Sequence, residues 1–181
     1  MGNQVSDWWN ATQPAAAPST PIPARVEWGQ NNRHYKRAYA SLAFTSPSQF
    51  AIGEVCRMMR LKATDRISAL FVSTSGASTA GAGDIGLYLP GTNLDGAVID
   101  ADEFVAAFAL TTAANKTESL LTAGATAITR RGAPLWEIAG YASLAAAIAA
   151  GAAEMDLCIT ATTAVTVANE EVVIELEGSF S

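Results

Sequence analysis

Apolar residues recur at every second position in several short runs, and turn signals separate those runs. Only an extended strand with one buried face produces that period. In 38–45 (AYASLAFT), Tyr39 falls on one face and Leu42 and Phe44 on the other. In 50–61 (FAIGEVCRMMRL), Val55, Met59 and Leu61 share a face with Arg57 between them, so the alternation is imperfect. Residues 66–73 (RISALFVS) form a β-branched and aromatic run that follows Thr64-Asp65. Residues 84–89 (DIGLYL) read as a short strand ending at Pro90-Gly91, and Asp95-Gly96 marks a further turn. The pattern returns in 156–167 and 171–177, with 168–170 as a hairpin connection. There Val172, Ile174 and Leu176 alternate with Val173, Glu175 and Glu177. Roughly seven or eight short strands predict a mainly β fold, a β-sandwich or jelly roll.

Two short helical insertions are expected within it. Asp100 or Asp102 is placed to cap a helix over 102–109, where Phe104 and Phe108 are spaced i, i+4. Pro134 suits the first turn of a second helix over 135–142, with the alanine-rich 144–150 as either its continuation or a loop.

The first 32 residues have a different character. Residues 11–24 hold Pro14, Pro18, Pro21 and Pro23, each of which fixes φ and removes a donor. An extended, polyproline-like arm is expected over 1–32, and the β-sandwich domain over 33–181. Trp8, Trp9 and Trp28 flank the proline-rich stretch. That aromatic area fits a strap anchored on a neighbouring surface, the alternative being that the tryptophans fold back on their own domain.

Charge narrows the partners. Charged residues make up 15% of the 181-residue chain, against roughly 25% in ordinary soluble domains. Alanine supplies 37 residues. A surface of small uncharged side chains suits a protein covered by other subunits. The net charge of −6 argues against a nucleic-acid partner. Of the basic residues, 8 of 11 lie within 1–66, together with only 4 of the 17 acidic ones. Such asymmetry favours contact between copies or docking on an acidic partner. The densest cluster is Arg33, His34, Tyr35, Lys36 and Arg37. With Tyr39 nearby, it could stack and hold a single strand of nucleic acid. The net charge favours the other reading, a segment held by acidic groups of a neighbouring subunit. The N-terminal residues lack a basic region and an apolar core of a signal peptide. The longest apolar stretch, 144–153, is well short of the ~20 residues of a membrane span.

Motifs for chemistry are few. The glycine-rich 76–84 (GASTAGAGD) lacks the Gly-Lys-Ser/Thr ending of a phosphate-gripping loop and reads as an inter-strand loop. His34 has no third group to orient it as a catalytic base, and no G-x-S-x-G element accompanies it. Cys56, Cys158 and His34 do not make up a zinc site; the cysteines sit in apolar runs and are expected to be buried free thiols. Asp95, Asp100, Asp102 and Glu103 cluster without the spacing of a calcium loop. Glu137 beside Trp136 reads as an exposed acid next to a core aromatic. No catalytic, cofactor or metal residues are expected.

The order of segments carries a resemblance. GEVCRMMRLKATDRISALFVST is followed by the glycine-rich loop, then DIGLYLPGTNLDGAVIDADEFVAAFAL, LWEIAGYA and DLCITATTAVTVANEEVVIELEGSF. This resembles a group of small tailed-bacteriophage virion proteins, of the capsid decoration or cement type, over roughly residues 53–180. The resemblance implies a β-sandwich or jelly-roll subunit that binds the outside of an icosahedral head, often as a trimer. The implied partners are the major capsid protein and further copies of the chain, with neither nucleic acid nor membrane. The implied location is the virion, assembled in the host cytoplasm. The arm 1–32 lies outside the matched segment, so Trp8, Trp9 and Trp28 as arm anchors, and Arg33, Tyr35, Lys36 and Arg37 as docking residues, are expected from composition and charge alone. A head–tail connector or tail component is the alternative structural reading. A jelly-roll glycan-binding module, using Trp136 and Tyr141, is a third.

Overall fold

The computed structural model of the chain describes residues 26–27, 36–44, 47–91, 93, 95–111, 113, 132–166 and 170–181. Among these residues lie eight strands: β1 (Val26–Glu27), β2 (Lys36–Phe44), β3 (Val55–Lys62), β4 (Arg66–Thr74), β5 (Ala82–Tyr88), β6 (Val98–Ala109), β7 (Glu154–Thr163) and β8 (Glu170–Ser179). They form two four-stranded sheets, ordered β1-β2-β8-β4 and β3-β7-β5-β6. Every pairing is antiparallel. The mainly β, two-sheet fold read from the sequence is the fold observed.

Alternation builds the shared core. On β2, Ala38, Ala40, Leu42 and Phe44 are buried, while Arg37, Tyr39, Ser41 and Ala43 face out. On β8, Val172, Ile174 and Leu176 are buried in register with Leu42, Ala40 and Ala38. The second sheet contributes Leu61, Ile85, Leu87, Met155, Leu157 and Ile159 to the same apolar cluster. Phe44 packs on Phe50 of a 3-10 turn (Pro47–Phe50), ring centroids 4.8 Å apart.

Strand β3 explains its own irregular pattern. A bulge between Arg57 and Met59 adds Met58 and shifts the phase. Cys56, Met59 and Leu61 therefore pair with Ile159, Leu157 and Met155 on the core side. Val55 pairs with Thr160, two positions along from Arg57 and Cys158, so it does not share a face with Met59 and Leu61 as the simple alternation predicted.

Three further expectations are corrected. Residues 102–109 are not helical: they belong to β6, which pairs with β5 across three register shifts. The i, i+4 spacing of Phe104 and Phe108 arises on a bulged strand, and Ala107 sits at φ 52°. The connection after β7 is not a hairpin, because β7 and β8 lie in different sheets. The second helical region is two helices, α1 (Leu135–Ile138) and α2 (Leu144–Ala149). Gly140 at φ 79° breaks them, and Ser143 opens α2 by accepting from Ala146 N–H at 3.1 Å.

Both cysteines are buried free thiols. Burial pushes the Cys56 thiol up to about 12, aided by the nearby Glu54 charge. Burial raises the Cys158 thiol too, against the pull of Arg57. Nucleophilic attack needs the thiolate. Native protein at pH 8 should therefore leave a thiol reagent such as DTNB unreacted, and unfolding in guanidinium should release both thiols. Prompt labelling of the native protein would contradict the burial of both residues.

Candidate functional site

The sequence places its docking residues before and at the start of β2. Trp8, Trp9, Trp28, Arg33, His34 and Tyr35 lie outside the described residues. Lys36 and Arg37 open β2, opposite Gly178 and Glu177 of β8. Arg37 has a side chain 61% exposed and is paired within its own chain: NH2 lies 2.8 Å from Glu177 and Nε 3.6 Å from Glu175. An ion pair this exposed contributes about 0–1 kcal/mol to stability. Its charges remain accessible to a partner that offers a better arrangement. Around it, the outward face of the first sheet carries Tyr39, Ser41 and Ala43 from β2 and Val173 from β8. The same outward face carries Glu177, Glu175 and Glu171 of β8 opposite Arg37, Tyr39 and Ala43, so carboxylates predominate on it.

Other polar residues are drawn inward. Asp156 on β7 accepts from Arg57 NH1 at 2.8 Å and from Arg60 Nε at 2.8 Å. Arg57 also donates to the carbonyls of Leu89 at 2.8 Å and Gly96 at 3.0 Å, so the loop 89–97 folds over it. The Tyr88 ring lies 5.7 Å from the Arg57 guanidinium, and its hydroxyl is 2.7 Å from Thr160 Oγ1. Hydrogen bonding to Asp156 holds Arg60 still more firmly charged, against the opposing effect of burial. None of these residues is a candidate from sequence. The available signal is a charge inside an apolar run, as in VCRMM and MDLCI.

Two more buried carboxylates fasten loops. Glu170, fully buried, accepts from Ser75 Oγ at 3.0 Å, Gly76 N–H at 3.0 Å and Ser78 N–H at 2.8 Å. Donors of the glycine-rich loop thus converge on a carboxylate of the same chain, which fills the place an anion would take. Asp65 accepts from Lys62 N–H at 2.8 Å, and its other oxygen accepts from Ser181 N–H at 2.8 Å.

The acids weighed for a cation are only partly gathered. Asp100 and Asp102 share β6, and Asp102 N–H donates to Asp100 Oδ1 at 3.2 Å. A hydrogen bond with Asp100, and its charge, raise the Asp102 carboxyl above the usual range, with a smaller push from Asp84. Among the described residues, no group of three or more His, Cys, Asp or Glu is placed to hold a metal ion. No helix there is long and apolar enough to cross a membrane.

Trp136 and Tyr141 are half-buried and packed against the core, so they do not form an open stacking platform. Trp136 N–H donates to Ala63 O at 3.0 Å, docking α1 on the β3–β4 turn. Glu137 beside it is exposed.

By sequence, no protein-family profile and no curated protein matches the chain. By structure, the chain is similar to one from the capsid of Ralstonia phage GP4. The likeness covers 91% of this chain and 92% of that one, with a TM-score of 0.53 and 11% identity. It is a likeness of fold.

Proposed function

We propose that this protein is a structural component of a tailed-bacteriophage virion, a capsid decoration or cement subunit. It binds the outside of the icosahedral head, with the major capsid protein and further copies of itself, as a trimer, for partners. The observation that carries this reading is the fold likeness to a phage capsid chain over nearly the full length of both chains. Two features of the molecule support it. Its charge content of 15% is low for a surface left to water. Its buried charges Arg57, Asp156, Asp65 and Glu170 close on groups of the same chain, which is how a scaffold uses charge.

The mechanism is mechanical rather than chemical. Each copy bridges adjacent capsid subunits, with Lys36, Arg37 and the residues before them as docking groups. Many weak contacts repeated over a shell then act together by avidity and resist the pressure of packaged DNA.

Copy number tests the reading. Purified particles, run on a quantitative gel against the major capsid protein, should show a ratio near one or a simple fraction of it. Roughly six to twelve copies per particle would reassign the chain to a connector or tail position. Absence from the particle would reject the virion reading altogether.

A further inference from the structure

Two connections between the sheets meet at one buried charge. The loop after β4 leads from the first sheet to β5 in the second, and the segment after β7 leads back to β8 in the first. Glu170 opens β8. It shares the parity of Val172, Ile174 and Leu176, so it stands on the core-facing side of its strand, and it is 0% exposed. A charge in such a place is kept only where hydrogen bonds or an opposite charge answer it.

Its described partners are all donors. One oxygen accepts from Ser75 Oγ at 3.0 Å and from Gly76 N–H at 3.0 Å, and the other from Ser78 N–H at 2.8 Å. Ser75 Oγ also accepts from Glu171 N–H at 2.9 Å. A carboxylate can only accept, so the Ser75 hydroxyl hydrogen turns to Glu170. Gly76 lies at φ 64°, the left-handed conformation that aims neighbouring amides at one point and makes an anion-binding hollow. The hollow is braced from the other connection: Thr166 N–H donates to Ser78 Oγ at 2.9 Å, and Thr79 N–H to Thr166 Oγ1 at 3.2 Å.

We propose that Ser75–Thr79 is a carboxylate-binding nest and that Glu170 is its built-in ligand, a clasp that seats the leading end of β8 beside β4. Among the described residues, three donors and no acceptor face the ligand. The nest therefore selects a carboxylate over an amide of the same shape, which would turn its NH2 against one of those donors. Cutting the side chain back to alanine leaves three unanswered donors around a space that fits acetate. The clasp works whether or not the chain belongs to a virion.

The test is chemical rescue in the full chain. Glu170→Ala should lower the melting temperature by about 6–12 °C. Sodium acetate at about 0.2 M should restore at least about half of that loss, beyond any shift it causes in the unaltered chain, whose nest is already filled. Acetamide at the same concentration, with ionic strength matched by sodium chloride, should restore none. If Glu170→Ala does not fold in plain buffer, the fraction folded after refolding in acetate against acetamide reads the same quantity. Glu170→Gln fills the space without the second acceptor, and should lose at least about half as much as Glu170→Ala. Hydrogen exchange locates the effect. In Glu170→Gln, at least one of the Gly76 and Ser78 amides should exchange at least about tenfold faster, with Leu176 towards the far end of β8 unchanged. No rescue by acetate, or equal rescue by acetamide, would overturn the proposal. So would a Glu170→Gln chain as stable as the unaltered one, or unchanged exchange at both loop amides.

Discussion

Replacing Asp156 with alanine lowers the unfolding free energy by about 3–5 kcal/mol. The Asp156 side chain is 3% exposed and that of Arg57 is 7% exposed. Removing the carboxylate leaves a guanidinium out of water with only the Leu89 and Gly96 carbonyls and the Tyr88 ring. A loss of that size is a large share of the 5–15 kcal/mol that typically separates a folded domain from its unfolded chain. Urea denaturation at fixed ionic strength measures it. Arg60→Ala serves as the comparison: that side chain is 30% exposed, and its loss should come to about 1 kcal/mol after screening by solvent. A loss below about 1 kcal/mol for Asp156→Ala would mean that two carbonyls suffice to hold Arg57.

Gly86→Ala is the second large effect, of at least about 3 kcal/mol, or failure to fold. A Cβ on Gly86 would lie 2.1 Å from the Asp100 carbonyl oxygen and 2.3 Å from the Ala101 carbonyl carbon. These are backbone atoms of β6, so no side chain can swing aside, and β6 must lift from β5. Gly140→Ala makes the contrast. Its φ is +79° with open space around it, so only the left-handed backbone opposes the change, by about 1–2 kcal/mol. Equal losses at the two positions, read from urea midpoints, would mean that β6 does not cross Gly86 closely.

Strands β2, β4 and β8 were legible because each keeps strict or nearly strict alternation over a buried face. Strand β7 was legible as an apolar run. It is buried on both faces because the loop 89–97 covers the outward side near Asp156. Strand β5 was read within 84–89, while bulges obscured the phase of β3 and the nature of β6. Met58 put β3 out of phase, and the register shifts of β6 let two phenylalanines imitate a helical face. Strand β1 lay inside a segment whose prolines argue for extended chain but name no partner. Of the docking residues, only Lys36 and Arg37 fall in the described structure, and Arg37 meets glutamates 138 and 140 residues further along the chain. Arg57 and Asp156 are 99 residues apart. No local pattern announces such a pairing, because each partner taken alone is a charge misplaced in an apolar strand.

The placement of β8 has a kinetic consequence. It lies between β2 and β4, and pairs Lys36 with Gly178 and Arg66 with Ser179. Of the eight strands it is the one synthesised last. Until the ribosome has made β8, β2 and β4 have no strand between them, and one whole sheet waits for its middle. Closing loops of that length before any contact rewards them is slow, so folding should take milliseconds to seconds once β8 has been made. During that interval the edges of β2 and β4 that β8 will pair stand open, and the growing chain depends on dilution or chaperones to avoid pairing with its neighbours.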